Sequence, residues 1–316
     1  MKDYADDGNL HARIYAMRSR LLTLADYAAL VRDREAFLDE KAGGRGYIEA
    51  KENIFTEQIA AILHLAEAAT KYAPLFLAFL RQYEARNAKL LLTKAFGRQV
   101  HEQWYDIGPY TTLDKSLLGD ELLLDGVRRL LAAMYGDDAF LHERGCERLE
   151  MRIDMHAAGM LQDASASFGT GAKKVFDAFT GRRVAVIALI WRRRLGENYR
   201  WDDGRIEGQL ALMSGIFETD PRPQMKIVEE TLDRRFEEQH RNGRMTPGLM
   251  DMEYHLEEYY YRWVRSQFHR DFHSVYCVVA YLWLLYYQVR NLFRVIEGMR
   301  FSLPPGEIME RIIGEA

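Results

Sequence analysis

Apolar residues recur at steps of three and four along most of the chain. In NLHARIYAMRSRLLTLADYAALV, residues 9–31, Leu10, Ile14, Met17, Leu21 and Leu24 fall on one stripe, and Arg13, Arg18 and Arg20 lie off it. That spacing predicts one amphipathic helix with a basic outer face. A second helix is expected from Ala50 to Tyr72, where Ile54, Ile59, Ile62, Leu63 and Ala66 are apolar, after a break at DEKAGGRG. A third runs from Pro74, tolerated in a first turn, to Gly97, a suitable residue just past a helix end. The turn YDIGPYTTLD leads to helices expected at 114–135, 138–167 and 173–195, separated by YGDD and FGTGAK. ENYRWDDGR, FETDPRPQ and HRNGRMTPG read as loops of the last block. From Asp251 the pattern is helical for about fifty residues, stops at SLPPG, and closes in a short amphipathic helix, EIMERII. With only seven prolines and much Ala, Leu, Arg and Glu, the expected fold class is all-α.

The pattern also repeats. An offset of 204 residues superposes Tyr83, Glu84, Arg86 and Asn87 on Tyr287, Gln288, Arg290 and Asn291, with aliphatic residues on both sides. Halfway between lies RRVAVIALIWRRRLG, in which Arg183, an apolar stretch, a basic residue and Gly196 follow the same plan without the Asn. Two clear copies and one eroded copy predict three helical repeats, 1–105, 106–203 and 204–316. The Arg86-Asn87 and Arg290-Asn291 pairs have two readings: a site on each repeat, or a structural tie. In the second, the Arg satisfies carbonyls or a carboxylate and the Asn amide bridges two segments. Buried polar groups persist mainly when fully hydrogen-bonded, which favours the tie.

Charge and composition narrow the function classes. A formal net charge of −4 offers no long-range attraction to phosphate backbones, so no nucleic acid partner is expected. The three arginines of WRRRLG, Arg192 to Arg194, project to different sides of a helix and suit a solvated rim or a protein contact. Cys146 and Cys277 are too few for a disulfide framework, and a reducing, cytoplasmic setting is expected. The start, MKDYADDGNL, has neither the basic flank nor the apolar stretch of a secretory signal. The thirteen apolar residues Val275 to Tyr287 fall short of the ~20 that span a bilayer. A buried core helix is expected there, with no direct membrane insertion.

Candidate chemistry is thin. His269 and His273 share a helix face but lack a third ligand for zinc. The Glu-x-x-His of Glu237 to His240 has no second copy for a di-iron bundle. FGTGAKKVF departs from phosphate-loop spacing and follows a helix. Glu147, Glu150 and Asp154, interleaved with Arg148 and Arg152, read as an ion-paired surface. No catalytic, metal or cofactor residues are expected.

One family resemblance spans nearly the whole chain. Ala12-Arg13, Met17, Ser19, Leu21-Leu22 and Asp26-Tyr27 resemble the N-terminal signature of the C-type stalk subunit of prokaryotic A/V-type ATPases, the d-type of the eukaryotic V-type enzyme. Arg290-Asn291, Arg294, Ile296, Leu303-Pro304-Pro305 and Glu307-Ile308 resemble its C-terminal signature, and ARNAKLLLTKAFG resembles its first internal copy. His11 stands where the family usually has Asn, and Gln288 where an acidic residue is common. The resemblance implies a funnel of three related helical bundles with pseudo-threefold symmetry. It implies a non-catalytic protein, peripheral on the membrane through its complex. Such a protein caps the membrane proteolipid ring, receives the central shaft of the ATPase head, and couples ATP hydrolysis or synthesis to proton or sodium transport. Arg13, Arg18, Arg20 and Arg192, Arg193, Arg194 are then candidates for meeting ring or shaft. The alternative is a helical-repeat scaffold unrelated to ion transport.

Overall fold

Helices are the only extended elements that these residues form in the computed structural model, which describes residues 2–43, 46–69, 71–119, 123–216, 220–241, 249–270 and 274–314. They are α1 (Lys2–Arg18), α2 (Leu24–Arg32), α3 (Arg34–Ala42), α4 (Tyr47–Ala68), α5 (Ala73–Ala95), α6 (Leu124–Tyr135), α7 (Ala139–His142) and α8 (Cys146–Ala164). They continue as α9 (Thr170–Glu197), α10 (Asp203–Ser214), α11 (Arg222–Arg241), α12 (Leu249–Phe268), α13 (Val275–Arg300) and α14 (Pro305–Glu310). Among the described residues there is no strand, so the protein is all-α.

The single helix expected over 9–31 is two. α1 closes on the tight bonds Arg20 N–H to Met17 O (3.1 Å) and Leu21 N–H to Arg18 O (3.2 Å), and α2 starts only at Leu24. Thr23 with Asp26 three residues on has capping-box spacing, so a local start signal interrupts a continuous apolar stripe. Other boundaries move for similar reasons. Lys115–Leu118 forms a 3₁₀ turn, and α6 begins only at Leu124. The helix expected over 138–167 is split into α7 and α8 at Glu143 to Gly145, where Glu143 (ψ 134) and Gly145 (ψ 136) are extended. Asp39 to Ala42, expected in a break, close α3 before Gly43 takes the left-handed conformation (φ 54). The fifty-residue helix after Asp251 is interrupted between α12 and α13. The loop expected at 240–248 lies almost wholly outside the described residues.

The chain forms two compact units, one of Ala25–Ser167 with Gln288–Glu310, the other of Met1–Leu24, Phe168–Tyr287 and Arg311–Ala316. Helix α13 contributes its first half to the second and its last half to the first. In the 25–167 unit α5 is the central rod, packed by α4, α6 and α8. Pro74 stands in its first turn, and Gly97 (φ 72) ends it in the left-handed region. Ala88, Leu91, Leu131, Phe140, Leu149 and Ile153 form a fully buried core beside it. In the 168–287 unit α9 is the rod, packed by α10, α11 and α12. Its residues Val184 to Trp191 are all buried, which is why the amphipathic pattern fades there.

α13 ends where Ser302 adopts φ 55 and Leu303 N–H reaches back to Gly298 O (2.9 Å), after which Pro304 and Pro305 prevent its continuation. α14 then folds back onto Gly298, where an added Cβ would sit 2.5 Å from Ile308 Cγ1. Gly298→Ala is therefore expected to lose about 1–3 kcal/mol of stability in urea titrations, through overpacking. Ile308→Ala should cost measurably less in that background than in the wild type; equal costs would show that the two sites do not touch.

Candidate functional site

The repeated polar residues sit on the buried faces of the two rods and of α13. On α5, Asn87 is wholly buried, and its amide closes a two-way clasp on Tyr105: Nδ2 donates to Tyr105 O (2.7 Å) and Oδ1 accepts from Tyr105 N–H (2.9 Å). One turn earlier the buried Glu84 carboxylate accepts the backbone N–H groups of Thr112 and Leu113, the latter at 2.9 Å. The Arg86 guanidinium lies over the Tyr105 ring (5.9 Å), and that ring packs with Phe55 and Tyr83 (5.0 and 5.6 Å). From α4, Glu52 accepts Trp104 N–H (3.0 Å) and pairs with Lys115. The segment 104–113, which carries no helical hydrogen bonds beyond one 3₁₀ turn, is thereby held against α4 and α5 by side chains.

The matching residues of α13 lie in the same unit. Gln288 donates to Gln58 Oε1, and the buried Asn291 accepts from Arg294 (3.2 Å). Arg290 lies one residue before Asn291 and is half-buried. Further along, Glu297 accepts from Lys51, a buried lysine of α4 that also reaches Gln103 (3.3 Å). Sequence reading missed Lys51. Its signal is a cation on the buried stripe of α4, four residues before Phe55.

The eroded copy carries the most buried ion pair. Arg183 on α9 and Glu257 on α12, each 6 % exposed, meet through two hydrogen bonds of 2.7 and 3.2 Å. Tyr287 OH donates to the same carboxylate (2.7 Å), and the guanidinium lies over the rings of Trp283 and Tyr260 (5.1 and 5.4 Å). Burial disfavours the arginine's charge, but Glu257 outweighs it and holds the Arg183 pKa well above its usual value. Glu257 could have been found from sequence as an acid in step with Tyr260, Val264 and Phe268 on an apolar face. Nearby on α12, burial alone would raise the Glu258 pKa; the adjacent His255 ring (3.5 Å), the hydrogen bond from Arg235 and the charges of Arg235 and Arg262 bring it down to about 2.

The six arginines expected at partner surfaces differ sharply. Arg192 pairs with Glu229 (2.7 Å) and Glu207 (3.2 Å), and Arg194 pairs in two bonds with Glu253 (2.6 and 2.7 Å), so both join α9 to neighbours in their own unit. Arg193 pairs with Glu197 on its own helix (3.6 Å). Arg13 and Arg18 are half-buried on α1 and Arg20 is exposed just beyond it.

The carboxylates of α8 are engaged locally. Asp154 pairs with Lys89 (2.5 Å) and Glu150 faces the Cys146 thiol (3.4 Å), which burial and that carboxylate push up to about 12. The phosphate-loop-like stretch FGTGAKKVF opens α9. Among the described residues no group of three His, Cys, Asp or Glu could hold a metal; His273 and the side chains of Glu237 to His240 lie outside them. Among the described residues no helix is long and apolar enough to cross a membrane.

One polar cluster of the 25–167 unit gathers around Asp137. Asp137 accepts from Arg152 (2.6 Å) and from His156 Nε2 (2.8 Å), whose ring stacks on Tyr135 (4.8 Å). Burial holds the His156 pKa below its ordinary 6.5 despite Asp137, so the folded state keeps the ring neutral where the unfolded chain protonates it. Stability from this residue is present above pH ~6.5 and is lost as pH falls from there through the lower folded value. In thermal melts, His156→Gln should flatten the fall in melting temperature between pH ~6.5 and ~5. An unchanged slope would place the acid sensitivity elsewhere.

A search of curated proteins returned no match. A family model described as ATP synthase (C/AC39) subunit matches residues 10–311, from the start of the α1 stripe to just past α14. That span takes in both terminal signatures, both Arg-Asn pairs and the eroded middle copy, in an all-helical chain, and on it the chain belongs to the ATP synthase (C/AC39) subunit family of the V/A-type ATPases.

Proposed function

We propose that this chain is the non-catalytic central-stalk subunit of a rotary V/A-type ATPase. It is a socket between the rotating shaft of the ATPase head and the membrane proteolipid ring. ATP hydrolysis or synthesis is thereby coupled to proton or sodium transport. The observation that carries the reading is the family match over residues 10–311, nearly the whole chain. The physics of the two units agrees with it. Torque transmission needs stiff, densely packed helices, and both rods are fixed to their neighbours by buried side-chain bonds such as Asn87 to Tyr105 and Arg183 to Glu257.

Within this proposal the three repeats, 1–105, 106–203 and 204–316, form a pseudo-threefold funnel whose cavity receives the shaft. The chain is cytoplasmic and reaches the membrane only through its complex. Arg86, Asn87, Arg290 and Asn291 act as repeat ties. Arg13, Arg18, Arg20 and Arg192 to Arg194 are partner-facing residues, the first three above all, because Arg192 and Arg194 are engaged by carboxylates of their own unit.

The test is a pull-down of the tagged chain from detergent-solubilised membranes, read by mass spectrometry. Recovery of a proteolipid ring subunit together with head subunits is the expected result. A chain recovered alone, with an intact ATPase in the unbound fraction, would leave the helical-repeat scaffold as the better reading.

A further inference from the structure

The one-turn helix α7 is too short to hold itself, since a first turn fixes several backbone angles for few hydrogen bonds. It is held instead from α8, and both of its ends go to one residue. Arg152 Nη1 donates to Asp137, two residues before α7 (2.6 Å), and its Nη2 faces Glu143, just after it (3.6 Å). The other Asp137 oxygen accepts Ala139 N–H (3.1 Å) and so starts the turn. Between the two ties Phe140 enters the core of the 25–167 unit, fully buried. It lies against the Arg152 guanidinium (5.8 Å) and the rings of Tyr135 (5.5 Å) and His156 (5.7 Å).

One member of this arrangement titrates near neutral pH. His156 stands one turn after Arg152 and shares with it the same oxygen of Asp137 (2.8 Å). A carboxylate only accepts, so the neutral ring carries its proton on Nε2, and a second proton must go to Nδ1. Burial opposes that charge and Arg152 repels it; Asp137 and, further along α8, Asp163 favour it, but burial prevails. Asp137 itself stays ionised above pH ~5: burial would raise its pKa, and hydrogen bonds from His156, Arg152 and Ala139 N–H hold it below 3.8. Burial raises the Asp163 carboxyl, which gives it the opposite response to acid, but among the described residues it makes no bond to α7. From α6, the Tyr135 phenol is kept neutral by burial and by the charges of Asp154 and Glu84, and from α5, Lys89 is taken up by Asp154 (2.5 Å).

We propose that α7 is a pH-sensitive latch on α8: acid lifts the connection 136–145, which lets His156 take a second ring proton, and Phe140 leaves the core while α4 and α5 stay folded. In the lifted form the ring is in water and titrates at its ordinary 6.5, so acid favours that form between this value and the lower one of the closed latch. A single proton sets the limit, about tenfold in the open population per pH unit. The ties elsewhere in the unit, such as Asn87 to Tyr105, join an amide to backbone groups and do not titrate. The latch is built within the 25–167 unit alone and stands whether or not the chain is a stalk subunit.

Hydrogen exchange of the full-length chain, read by mass spectrometry and corrected for the intrinsic effect of pH, is compared at pH ~7.5 and ~5.5. Protection at residues 139–143 is expected to fall ~3-fold or more in acid, and protection in the interior of α5 to hold. His156→Gln, which keeps an Nε2–H donor for Asp137 and cannot titrate, should show no such fall. Protection at 139–143 that is constant with pH, an equal fall in α5, or a fall that persists in His156→Gln would overturn the proposal. The wild-type ring supplies a second test that needs no variant. Its NMR titration should have a midpoint below 6.5, and a midpoint at or above 6.5 overturns the latch.

Discussion

Glu257→Leu is expected to cost about 3–5 kcal/mol of folding stability, the largest single effect in the molecule, because it strands the Arg183 guanidinium inside the 168–287 unit. Both groups are nearly fully buried, and the arginine has aromatic faces but no second carboxylate within its pairs. Tyr287 OH would lose one acceptor but keep the Glu257 backbone carbonyl (3.1 Å). The check is a urea titration followed by tryptophan fluorescence, since Trp283 lies against the pair. The double change Arg183→Met/Glu257→Leu should recover most of the loss, because a well-packed apolar pair can equal a buried ionic one. A double variant as unstable as the single would mean that the aromatic residues around the guanidinium depend on its charge.

Asn87→Ala should cost about 2–4 kcal/mol, since it leaves both the N–H and the C=O of Tyr105 buried and unpartnered. The effect is local enough to be seen directly. Amide exchange at Tyr105 should quicken by more than exchange in the α5 interior, because the clasp, and no helical bond, protects that N–H. Asn87→Asp should not rescue the loss: it keeps an acceptor for Tyr105 N–H but buries a charge and removes the donor to Tyr105 O. Equal exchange in the variant and the wild type would show that the segment 104–113 is held by Glu84 and the Tyr105 ring alone.

The helical class was legible in the spacing of apolar residues, and the ends of α5 in Pro74 and Gly97, because each of those signals acts within one turn. The interruption at 19–23 was not, since the apolar stripe runs through it unbroken and only the local start at Thr23 and Leu24 opposes it. The repeated polar residues announced themselves by repetition, but their partners did not: Tyr105 lies 18 residues from Asn87, and Glu257 lies 74 from Arg183 of the eroded copy. Partners that distant are chosen by tertiary packing, which leaves no period in the sequence. The partners of the arginine run were hidden for the same reason. Arg192 and Arg194 read as a solvated rim or a protein contact, and the carboxylates that engage them within the chain come from α10, α11 and α12.

The most direct test of the stalk assignment measures coupling. ATPase complex depleted of this chain is reconstituted into vesicles, and ATP hydrolysis and ion uptake are followed together, before and after the purified chain is added back. The account predicts hydrolysis without ion uptake in the depleted vesicles, and uptake restored by the wild-type chain. Ion uptake at full rate in its absence would contradict it.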